Sequence, residues 1–112
     1  MLKQELARQA QANQQRAKQV MDTLQMLDGA LRRKRAREVR AIWPGISQMY
    51  FESAGTTTLT VKEEIQFPQG PDQAVVRCDL VTKAGGITIP RVVTLTLRNS
   101  GGNWTVATAK FD

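Results

Sequence analysis

The sequence predicts an α+β domain in which N-terminal helices pack on a curved, four-stranded antiparallel sheet. Three observations predict it. Apolar residues recur at helical spacing as far as Trp43, and from Thr56 the period changes to two, the alternation of a strand. The period-two runs are then separated by turn clusters too short for anything but antiparallel pairing. The chain has 112 residues, which suits one domain.

Residues 1–33 contain no proline and a single glycine, Gly29, and are rich in Ala, Gln, Leu, Arg and Lys, all good helix formers. Val20, Leu24, Leu27 and Leu31 form one apolar stripe. Before Val20 only Leu2 and Leu6 are large and apolar, so residues 1–19 read as an exposed helical extension or linker and residues 20–112 as the domain. At about 100° per residue, one straight helix would carry Arg35 into the stripe. A second stripe, Ala36, Val39, Ile42 and Trp43, is rotated from the first, which predicts two helices broken near Lys34–Arg35. Pro44 ends the second, because the residue before proline disfavours helical geometry. In "GISQMYFESAG", Ile46, Met49 and Tyr50 stand at i, i+3 and i+4 with Gly55 as a cap, which predicts a short third helix.

The first strand is expected over "TTTLTVKEEIQF", with Leu59, Val61, Glu63, Ile65 and Phe67 on one face and Thr58, Thr60, Lys62, Glu64 and Gln66 on the other. "AVVRCDLVT" places Val76, Cys78 and Leu80 on one face and Arg77 and Asp79 on the other. In "ITIPRVVTLTLRN", Val93, Leu95 and Leu97 oppose Thr94, Thr96 and Arg98, and Pro90 should mark a start, bend or bulge. "WTVATAKF" closes the meander. One apolar face and one threonine- and charge-rich face mean that one side packs and the other is wet.

The net charge is +6, and residues 1–43 carry all of it, since residues 44–112 hold equal numbers of acidic and basic side chains. With no histidine and one cysteine, zinc sites and Ser-His or Cys-His chemistry are effectively excluded. No phosphate-binding glycine loop precedes a helix, so no cofactor is expected. No segment is long and apolar enough for a transmembrane helix, and "MLKQELARQA" has no apolar signal core. A cytoplasmic protein, or an exported domain cut from a longer chain, fits these features equally.

An amphipathic helix, a second short helix ending "AIWPGIS" and strands closing in "VTLTLRNSGGNWTV" resemble the NTF2-like (cystatin-like, SnoaL-type) superfamily, in particular bacterial domains of that type. The resemblance covers roughly residues 20–112. It implies a cone of curved sheet around the helices, dimerisation through the sheet, and a cavity that some relatives use for catalysis or small ligands. The chain departs from the family in having Lys34 and Arg35 where members carry an acidic residue, and four strands where about six are usual.

The candidate residues follow from this frame. Trp43, Tyr50, Glu63, Cys78 and Trp104 would bound the pocket, open to a small hydrophobic ligand. Glu63 is the one acid on an apolar strand face, and a carboxylate buried there would be a base with a raised pKa, as an isomerase or dehydratase requires. The cost of burying a lone charge weighs instead for a rim position. Thr58, Thr60, Thr94 and Thr96 form the candidate surface for a second sheet, as in a homodimer. Arg32, Arg33, Lys34, Arg37 and Arg40 could contact nucleic-acid phosphates, but without an aromatic stacking platform among them a solvated helix face is favoured. The expected function is a non-catalytic interaction, dimerisation or ligand-binding module, accessory to a longer protein.

Overall fold

The computed structural model describes residues 2–47, 50 and 55–112, with side chains from Gln14 onward. Helix α1 (Leu2–Arg32) is continuous and α2 (Ala36–Ile42) follows it. The sheet consists of β1 (Thr56–Val61), β2 (Gln73–Ala84), β3 (Ile87–Ser100) and β4 (Asn103–Phe111), antiparallel and in chain order. The α+β architecture, two helices on one face of a four-stranded antiparallel sheet, is therefore present.

The break between the helices has a definite chemistry. The Arg35 N–H donates to the Ala30 carbonyl (2.9 Å) and the Lys34 N–H to the Leu31 carbonyl (3.2 Å). This 6→1 and 5→2 pair is a Schellman motif, with Lys34 in the left-handed position at φ 56°. Glycine usually occupies that position, since a β-carbon there costs roughly 1–2 kcal/mol. The elbow turns Val39 and Trp43 onto the core that Leu24, Leu27 and Leu31 share with Val76, Leu80, Val93, Leu95 and Leu97.

Two polar contacts tie α1 to opposite edges of the sheet. The Asp28 carboxylate accepts the Leu59 backbone N–H of edge strand β1 at 2.8 Å, and also pairs with Arg32 at 3.0 Å. The Trp104 indole N–H of the other edge strand, β4, donates to the Gln19 side chain at 3.2 Å.

Two strand expectations need correction. β1 stops at Val61 instead of running to Phe67. The Lys62 and Glu63 N–H groups both point at the Arg77 carbonyl (2.8 and 3.4 Å). Pairing resumes only at an isolated Gln66–Val75 bridge, although Val61 opposes Cys78. More residues therefore lie on this side of the ladder than on β2, and the surplus bulges out. The alternation is interrupted: Glu63 leaves the inner face, while Val61, Ile65 and Phe67 still pack against the core. Pro90 marks no start: β3 runs through it, opposite Val81. β4 pairs with β3 only as far as Val93, so at Pro90 the strand is an edge and the missing N–H breaks no ladder.

The predicted third helix falls mostly on residues 48–49 and 51–54, outside the described residues. Gly55 has a use other than capping. It is buried, and a β-carbon there would collide with the Lys83 carbonyl and the Ala84 side chain of β2.

Asp28→Ala should lower unfolding free energy in urea by about 1–3 kcal/mol, since the Leu59 N–H loses its acceptor. Lys34→Gly should leave stability unchanged or raise it by up to ~1 kcal/mol, and Lys34→Val should lower it, because only glycine occupies the left-handed position without strain.

Candidate functional site

The five pocket candidates do not converge on one cavity. Trp43 and Tyr50, both buried, share a small cleft of about 260 Å³ with Ile46 and the outer half of β4. Tyr50 stacks on Phe111, with ring centroids 6.1 Å apart and planes 10° from parallel. Trp104 packs edge-on against Phe67 at 6.3 Å and is held by Gln19. Cys78 lies in the middle of the inner face with no exposed surface.

Glu63 is exposed at the end of β1 and pairs with Arg77 at 3.4 Å. It borders an open groove of about 780 Å³ against α1, with Lys18 and Met21 on the far wall. The buried carboxylate in an apolar wall, which a general-base role requires, is absent because the bulge at Lys62–Glu63 turned the side chain outward. The rim position with an arginine partner is the one the structure has.

Burial pushes the Cys78 thiol up to about 12, with the neighbouring Asp79 carboxylate adding to the effect. A thiol held protonated in this way is a small core hydrophobe, not a nucleophile. Among the described residues, Thr23 and Thr57 are the buried polar side chains. Thr23 returns its hydroxyl to the Gln19 carbonyl (2.9 Å) and Thr57 shares a hydrogen bond with Thr82 (3.1 Å). Among the described residues, no group of His, Cys, Asp and Glu could hold a metal ion, and no helix is long and apolar enough to cross a membrane.

The face of the sheet turned away from the helices is organised in rows. Thr58 lies on β1 opposite Val81, and Thr60 opposite Asp79. Thr94 lies between Arg77 and Lys110, and Thr96 between Val75 and Thr108. Arg77, which the strand pattern gave only as a polar-face residue, joins two edges. It reaches Glu63 beside β1 and Asp112 after β4 (2.7 Å). Lys62 and Asp79 add a longer pair at 3.8 Å.

The basic residues gather at the elbow. Arg32 closes α1 by pairing with Asp28, and Arg35 pairs with Glu38 at 3.1 Å. Arg33, Lys34, Arg37 and Arg40 are exposed around them. From Arg32 to Arg40 six cations face one anion, Glu38, so this turn carries +5 of the chain's +6.

The alkaline behaviour of Cys78 is testable. The folded chain keeps the proton to about pH 12, whereas the unfolded chain releases it near 9.0, the ordinary thiol value. The contribution to stability is complete below pH 9 and is lost as pH rises toward 12. Urea unfolding of the native chain and of Cys78→Ala across this range should show a stability difference that shrinks with pH. Alkylation of the thiol at pH 8 should require unfolding.

No protein-family model matches this chain, and comparison with curated proteins and with solved structures finds no match to either.

Proposed function

We propose that this chain is a non-catalytic interaction module that dimerises through the outer face of its sheet. The observation that carries the proposal is the distribution of chemistry. Among the described residues the interior is apolar with its two buried threonines satisfied, its thiol is held protonated, and the charged groups lie on the open sheet face and the elbow. A small-ligand role has less support, because the cleft beside Trp43 and Tyr50, about 260 Å³, falls below the roughly 300–1,000 Å³ of ligand pockets, and the larger groove beside Glu63 is open where such pockets enclose their ligand.

The outer face suits a second copy of itself. Its middle is neutral and half-buried (Val75, Val81, Val92, Thr94, Thr96), and its central cation, Arg77, is neutralised by Glu63 and Asp112. Such a surface can meet its own two-fold copy without opposing like charges, as an isologous dimer requires. The NTF2-like resemblance supports the same arrangement, since it implies dimerisation through the sheet.

Sedimentation equilibrium from 1 to 100 μM tests this. The native chain should sediment as a dimer, and Thr94→Lys with Thr96→Lys should weaken association at least tenfold while leaving the far-ultraviolet circular dichroism unchanged. A native chain that stays monomeric over that range refutes the proposal.

A further inference from the structure

The outer face of the sheet carries charge in two neighbouring rows of opposite sign. Lys62, Arg77, Thr94 and Lys110 lie side by side across the strands. Next to them run Thr60, Asp79, Val92 and Asp112, the last tied to the Val92 carbonyl by its backbone N–H (3.0 Å). The first row thus holds cations in the columns of β1, β2 and β4, and the second holds carboxylates in those of β2 and β4. A neutral row lies beyond each: Val75, Thr96 and Thr108 on one side, Thr58, Val81 and Pro90 on the other.

We infer that two copies of this chain dock face to face about a two-fold axis running across the strands, between the Arg77 row and the Asp79 row. The inference rests on the dimer reading above and adds its register. Sheets packed in this way lie about 10 Å apart with their strands roughly aligned. An in-plane axis across the strands keeps each residue over its own strand and reverses its position along it. Arg77 then faces the partner's Asp79, and Lys110 faces the partner's Asp112, each contact being made twice. At ~3.3 Å per residue each charged row stands about 3.3 Å from the axis, so the inclination of the two sheets displaces it little.

The rest of the face agrees with this axis. Val75 meets the partner's Val81, Lys83 meets the partner's Gln73, and Arg98 meets the partner's Thr88, so among the described residues of the face no cation opposes a cation. An axis along the strands, midway between β2 and β3, does worse. It would set Lys62 over the partner's Lys110, a like-charge contact that disfavours association, and would leave Arg77 and Asp79 opposite Thr94 and Val92. Arg77 need not give up its own pairs. Glu63 and Asp112 each engage one terminal nitrogen of the guanidinium, and each of those nitrogens carries a second hydrogen.

Charge reversal in trans, read by sedimentation equilibrium, tests the register. Arg77→Asp and Asp79→Arg should each weaken self-association at least tenfold. Their equimolar mixture should return to the native dissociation constant, because in the mixed dimer both facing pairs are again of opposite sign. Lys110→Glu and Asp112→Lys should behave in the same way. Lys110→Glu breaks none of the ion pairs named above, so this second couple reports even where Arg77→Asp loosens the fold. Asp79→Arg mixed with Arg98→Glu carries the same net charges as the first mixture but should recover less, since Arg98 faces the partner's Thr88. With the native chain dimeric, failure of both matched mixtures to recover overturns this register and leaves the sheet-face dimer standing. Equal recovery by the mismatched mixture overturns it too, because net charge alone would then account for the effect. A native chain that stays monomeric removes the register and the dimer together.

Discussion

The structure depends on how α1 is pinned across the sheet. Asp28 holds the backbone of β1, and Gln19 holds the indole of β4. These are the two edge strands. The helical rise from Gln19 to Asp28 is about 13.5 Å, and three inter-strand spacings come to roughly 14 Å. Nine residues of helix can therefore reach from one edge contact to the other, and the stripe of Val20, Leu24, Leu27 and Leu31 packs in the core beneath the sheet. The Asp28 contact also occupies a backbone donor on an edge strand, a position otherwise open to pairing with another chain.

The stripes, the break between the helices, the four strands and their inward residues were legible because each is a periodic signal repeated over many positions. The features that decide the site are single events. Nothing in the alternation of "TTTLTVKEEIQF" announces that Lys62 and Glu63 share one carbonyl; that depends on how many residues β2 offers opposite them. Pro90 did not start its strand for a similar reason, since its tolerance inside β3 depends on where β4 ends. Gln19 and Asp28 sit at the margins of an apolar stripe and look in sequence like ordinary solvated side chains. Arg77 was placed correctly on the polar face, but its bridge to Asp112 joins residues 35 positions apart, a pairing no local pattern contains.

Within the described residues the molecule keeps its chemistry on the outside. Its two buried threonine hydroxyls are hydrogen-bonded and its one thiol is held inert. Six of the chain's sixteen cations lie at one turn, where they suit the carbonyl end of α1.

The contact between Gln19 and Trp104 spans 85 positions, and this bears on biosynthesis. A ribosome releases α1 early and β4 last. Until Trp104 and Val106 emerge, the inner face lacks its final strand and the apolar stripe of α1 has only part of its cover. The sheet itself assembles from neighbouring hairpins and is quick to form by topology. The slow element is the return of the first helix to the last strand, so the nascent chain passes through a stage in which a long amphipathic helix stands exposed to chaperones and to other chains.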